Sequence, residues 1–164
     1  MKKLQSILSS KGKKTLNKAG EHELYASHFY KSAAARCQSS GRFGAQKFFE
    51  KESADEIEHY YKIRDFVNDQ GDMIDSPIIE SVTIEEDNLG GILSEAYDLE
   101  KKLYDFYEAE YSKTEDPSLK VFLHDMVNIQ RIAVGEYGDL LARYSIVAGN
   151  GAGEILFDQE LGAK

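Results

Sequence analysis

The chain has 164 residues, of which 41% are hydrophobic, and its 29 acids against 20 Lys and Arg leave a formal net charge of −9. This is one domain's length with enough apolar matter for a core, and the negative charge argues against nucleic acid as a partner. The single cysteine, Cys37, permits no internal disulfide and points to a reducing, cytoplasmic setting, and no apolar run approaches a membrane span.

The first twenty residues carry six lysines and no acid. They read either as the stub of a transit peptide or, more plainly, as a solvated arm leading into the first helix. Helical spacing then predicts a helix over 16–39, with Leu16, Ala19 or Gly20, Glu23, Ser27, Tyr30 and Ala34 on one face. The short connection 39–44 makes the next helix, 44–70, antiparallel to it.

That second helix places Phe48, Glu52, Glu56, His59, Ile63 and Phe66 on one stripe, with Gly71 suited to a left-handed C-cap. The turn-rich stretch from Asp72 to Gly91 follows. It contains Pro77 and an isolated β-branched run, Ile78 to Ile84. A long crossover joining two parallel helices of a four-helix bundle explains it.

A third helix is predicted over 92–113, with Leu93, Ala96, Glu100, Leu103 and Tyr107 facing inward. A fourth runs over 117–147, with Asp116 as N-cap and Pro117 at the first position. Its inner face reads Leu119, Phe122, Met126, Gln130, Ala133, Tyr137, Leu141 and Tyr144. The glycine-rich stretch 148–153 reads as a hinge before a short fifth helix, 154–161.

Each long helix thus carries a polar residue in mid-stripe: Glu23, Glu56 with His59, Glu100, and Gln130. A buried charge without compensation costs several kcal/mol or neutralises itself, so a lone acid at such a position reads as snorkelling or paired. Four coincident positions, one an acid–imidazole pair one turn apart, point instead to metal ions held in a bundle core. Carboxylates with one imidazole suit iron or manganese. Glu23, Glu56 and His59 would form a tight position, with Glu56 bridging to a looser one made by Glu100 and Gln130.

Tyr30, two turns from Glu23, reads as an outer hydrogen-bond donor, a radical site or a core aromatic. His22, His28 and His124 read as surface residues, and Cys37 as a small buried apolar one.

The segments Glu23–Tyr30, Phe48–His59, Asp69–Gly71 and Tyr97–Glu100, together with Gln130, resemble the ferritin family from about Lys18 to Leu161. The resemblance implies an all-α, ferritin-like four-helix bundle with a long crossover and a short C-terminal helix, as a single domain over 1–161. It implies iron storage in a homo-oligomeric shell of roughly two dozen subunits. It further implies oxidation of Fe²⁺ by O2 or peroxide at a dinuclear iron centre of Glu23, Glu56, His59, Glu100 and Gln130, with Tyr30 beside it.

Gln130 on the fourth helix is similar to non-haem ferritins. Ile57 stands where a bacterioferritin offers its haem-ligating Met, so no haem is expected. The third iron site of bacterial relatives would keep only Asp55, since Ile129, Ile132 and Ala133 replace its acids and Glu136 stands at a poor angle. Glu58 is a candidate cavity-facing acid. Twelve acids against three lysines between Glu80 and Asp116 fit cation-attracting channels or a solvated face equally.

Two other functions compete. One is a structural storage subunit with a weak oxidation centre. The other is a DNA-protecting mini-ferritin using the lysine-rich arm.

Overall fold

A computed structural model describes residues 5–164. The first four residues of the basic leader, with Lys2 and Lys3, lie outside the described residues. The helices are α1 (Ser10–Ser39), α2 (Phe43–Asp69), α3 (Leu89–Lys113), α4 (Pro117–Val147) and α5 (Gly151–Leu161), and no strand forms among the described residues. No described helix is long and apolar enough to cross a membrane.

α1 pairs with α2 and α3 with α4, while α5 lies against α2 and α4. Lys13 at the start of α1 meets Asp72 just past the end of α2 at 2.8 Å, so these two helices are antiparallel. The crossover 70–88 then returns the chain to the other end, which makes α2 and α3 parallel. It runs over the surface without a strand: Ile78 is 92% exposed, while Ile74 is buried and Val82 and Ile84 pack on the core. The architecture is the all-α four-helix bundle with a short C-terminal helix.

Several helix starts differ from expectation. α1 begins at Ser10, not Leu16: the Ser9 side chain accepts from the Gly12 amide at 3.0 Å. Buried Leu8 and a hydrogen bond from the Ile7 amide to the Gln70 carbonyl tie down the segment just before it, so residues 7–9 are docked rather than a free arm. α3 begins at Leu89, not Ile92, because Asn88 caps the Gly91 amide. α5 begins at Gly151, not Glu154, because Asn150 caps the Gly153 amide. Glycines that read as loop therefore form first turns, where side-chain caps satisfy otherwise orphaned amides.

α4 keeps its predicted bounds, with Asp116 accepting from the amides of Ser118 and Leu119. Gly71 adopts φ +75°, as a residue ending α2 in the left-handed region should. On α4 the expected Leu119, Met126, Gln130, Tyr137 and Tyr144 are buried, and Leu123 and Leu140 join them, whereas Phe122, Ala133 and Leu141 are only half-buried.

The core is split. One apolar cluster gathers Tyr30, Phe48, Phe49, Leu93, Leu103, Tyr137 and residues of α5. A second gathers Leu16, Ile63, Val67, Tyr107, Leu123 and Met126 toward the other end. Between them lies a buried polar layer of Glu23, Ser27, Ser53, Glu56, Glu100 and Gln130. Ser27 and Ser53 each donate to the other's backbone carbonyl, at 2.9 and 3.0 Å, and so fix α1 against α2 at this level.

Candidate metal centre

α1 and α2 deliver Glu23, Glu56 and His59 to one point, where one ligand atom from each lies within 4.8 Å of the others. The i, i+3 spacing on α2 stacks imidazole over carboxylate. His59 Nδ1 is 3.0 Å from Glu56 Oε2 and 3.5 Å from Glu23 Oε2. The longer contact is electrostatic and leaves Glu23 Oε2 without a hydrogen-bond donor. A cation here would give Glu23 Oε2 the partner it lacks.

Glu100 on α3 and Gln130 on α4 are buried in the same layer, and Glu100 stands outside that group of three. Glu100 lines a pocket of about 330 Å³ with Glu56 and His59. Tyr30 donates to Glu100 Oε1, and Tyr107 on α3 donates to Glu23 Oε1. Glu100 Oε2 and both polar atoms of the Gln130 amide have no partner.

Burial pushes Glu100 up to about 8, with Glu23 and Glu52 adding repulsion and the Tyr30 hydrogen bond opposing. Burial, with repulsion from Glu23, likewise holds Glu56 well above the ordinary carboxylate range. Burial also acts upward on Glu23, but contacts with His59, Glu56 and Tyr107 overcome it and its acidity is enhanced. The three carboxylates are thus held apart, Glu23 more acidic than an ordinary carboxylate and Glu56 and Glu100 less so.

A polar core that satisfied itself would leave no such orphans. Each unpartnered buried polar group costs about 1–3 kcal/mol. Four of these atoms, two from carboxylates and two from an amide, cluster in one layer. Oxygen donors with one imidazole form the set expected around iron or manganese. The residues present therefore fit a metal centre.

Residues 13–145 match the family model of the ferritin-like domain. A ferritin of Pacifastacus leniusculus is 33% identical over 154 residues, covering 89% of this chain and 84% of the relative. The chain belongs to the ferritin family. A probable bacterial non-heme ferritin-like protein of Haemophilus influenzae is 27% identical, covering 95% and 96% of the two chains. The fold matches that of an open pore ferritin from Archaeoglobus fulgidus at a TM-score of 0.92, with 21% identity over 95% of this chain and 98% of that one.

In this ferritin all four mid-stripe polar residues are buried and His59 is nearly so. Tyr30 is both a donor to Glu100 and a core aromatic, with its ring stacked on Phe49 and Tyr137. His28 and His124 are exposed and Cys37 is buried, its thiol pushed up to about 11 by that burial. His22 departs from a surface reading: it is half-buried, edge-on to Phe106 at 4.6 Å.

Glu136, off the inner stripe, lines the pocket with Asp55, Glu52 and Glu58. The pocket opens between α2 and α4, and positions one turn outside the inner stripe still reach such an opening. Sequence reasoning missed two hydroxyl partners, Tyr107 on Glu23 and Tyr137 on Glu52, the latter at 3.0 Å. The available signal was spacing: Glu100 and Tyr107 repeat the seven-residue interval of Glu23 and Tyr30.

Proposed function

We propose that this ferritin stores iron and oxidises Fe²⁺ at a dinuclear centre. Glu23, Glu56 and His59 bind one Fe²⁺, and Glu56, Glu100 and Gln130 bind the other, with Glu56 shared. The observation that carries this reading is the set of four unpartnered buried atoms beside the Glu23–Glu56–His59 group. No other buried side-chain nitrogen or oxygen is left without a hydrogen-bond partner among the described residues.

Two Fe²⁺ held together supply two electrons, which with two protons take O2 to H2O2; peroxide can serve as oxidant in turn. The protein contributes position, negative charge that favours Fe³⁺, and a route for ions. Glu100, held up to about 8, gives up its proton when an ion arrives. The pocket between α2 and α4 leads from the centre past Glu52, Asp55, Glu58 and Glu136, an acidic path along which iron moves.

Storage requires an enclosed space, so the chain works as a homo-oligomeric shell of roughly two dozen copies. A lone buried cysteine fits work in the cytoplasm. The position of Glu100 outside the preassembled group of three favours a second reading, a storage subunit that oxidises iron slowly.

Fe²⁺ added to metal-free protein in air separates the two readings. Rapid oxidation with oxygen uptake, followed by a soluble mineral in a particle of several hundred kilodaltons, supports the first. A large particle with oxidation no faster than in buffer supports the second. A small particle that makes no soluble mineral overturns both.

A further inference from the structure

We propose that Tyr107 is a positioning residue of the centre, paired with Tyr30 by an internal two-fold relation. Each tyrosine occupies one oxygen of a glutamate on the opposite helix, so that Glu23 and Glu100 each offer a metal ion a single oxygen. This inference rests on the dinuclear reading above and adds a cause for its coordination.

The relation is built into two helices. α1 carries Glu23 and Tyr30; α3 carries Glu100 and Tyr107 at the same seven-residue interval. Seven residues are close to two turns, so each pair shares a helix face. The helices run antiparallel, since Thr15 meets Glu110, Glu23 meets Tyr107 and Tyr30 meets Glu100. Identical intervals on antiparallel neighbours bring each hydroxyl opposite the other helix's carboxylate. Tyr30 donates to Glu100 and Tyr107 to Glu23, and all four residues are at least 99% buried.

The two pairs match in kind: in each glutamate the tyrosine takes one carboxylate oxygen and the other is left without a partner. Packing alone does not require this. Tyr107 already packs edge-on to Phe106 at 5.3 Å, and Tyr30 stacks on Phe49 at 6.0 Å, contacts that phenylalanine rings would also make. What phenylalanine lacks is the O–H that claims one carboxylate oxygen.

A carboxylate that already accepts a strong hydrogen bond on one oxygen binds a cation through the other. Single-oxygen ligands keep the coordination number low and leave positions open on each ion. Each tyrosine therefore governs a different ion: Tyr107 the one at Glu23, Tyr30 the one at Glu100.

Co²⁺ is a suitable probe, because the intensity of its visible absorption falls as coordination number rises. The full-length protein is titrated without iron, alongside Tyr107→Phe and Tyr30→Phe. Tyr107→Phe should weaken the absorption of one of the two Co²⁺ equivalents and change its affinity about tenfold or more, leaving the other unchanged. Tyr30→Phe should do the same to the other equivalent.

If Tyr107→Phe leaves both equivalents unchanged, or shifts both alike, the inference is wrong while the dinuclear reading stands. Wild-type protein that takes up fewer than two Co²⁺ per chain overturns the dinuclear reading and the inference with it. If Tyr107→Phe does not fold, a crystal structure of Co²⁺-loaded wild-type protein decides. Glu23 and Glu100 each bound through one oxygen alone, with the hydroxyl on the other, support the inference; two-oxygen chelation by Glu23 refutes it.

Discussion

In the α1–α2 half of the centre, Glu23, Glu56 and His59 hold ligand atoms within 4.8 Å of one another, whereas the α3–α4 half offers Glu100, engaged on one oxygen by Tyr30, and Gln130, whose amide has no partner. The imidazole makes the difference. Beside His59, Glu23 is held ionised despite complete burial. For Glu100 burial wins over the Tyr30 hydrogen bond and holds it up to about 8. Glu23 has no proton to lose before it meets a cation, whereas Glu100 must first give one up. On the proposed two-ion reading, the ion at Glu100 is expected to be the weaker and more exchangeable, which suits a protein that passes iron onward.

The comparison is broken most completely at Glu56, the one residue the proposal assigns to both ions. Glu56→Ala should reduce the fast phase of Fe²⁺ oxidation in stopped-flow absorbance by about 100-fold or more, beyond the usual cost of losing an outer partner of a ligand.

Next in size is the pH response, which should separate the halves. Affinity for the second divalent ion should rise by about tenfold per pH unit until about pH 8 and then level off, because binding displaces the Glu100 proton. Calorimetric titration with Zn²⁺ at several pH values reads this directly. The metal-free fold carries the same signature. The folded-state value of Glu100 is raised from 4.5 to about 8, so its stabilising contribution is complete below pH 4.5 and is lost as pH climbs toward 8. Compared with Glu100→Gln, metal-free wild-type protein should lose about 1.4 kcal/mol per pH unit across that window in denaturant melts.

A smaller effect sharpens the role of α4. Gln130→Glu should tighten the second ion about tenfold by adding charge where an amide now stands. The first ion should change little, and equal tightening of both would merge the two halves. The smallest effect lies outside the centre. Asp158 on α5 accepts from the amides of Gly44 and Ala45 at 3.0 and 2.8 Å and so caps the start of α2. Asp158→Ala should cost about 1 kcal/mol in thermal unfolding without slowing iron oxidation.

The centre was legible in the sequence to the extent that acids stood where apolar residues were due. Glu23, Glu56, Glu100 and Gln130 each interrupt a hydrophobic stripe, and burial of all four follows from that pattern. The bounds of α4 were equally plain, since Asp116 and Pro117 mark its start. The start of α1 was not, because residues 10–15 have no apolar period; that turn is held by the Ser9 cap and by contacts with the far end of α2.

Tyr107 and Tyr137 were hidden for another reason. An aromatic at a core position looks like packing until its hydroxyl partner on another helix is known. Glu136 was hidden because helix phase alone does not say where a pocket opens.

The most direct test of the central claim is anomalous diffraction from crystals soaked in Fe²⁺ without oxygen. Two iron peaks per chain, bridged by Glu56, with Glu23 and His59 on one and Glu100 and Gln130 on the other, are predicted. An empty polar layer, or iron bound only by surface acids, would contradict it.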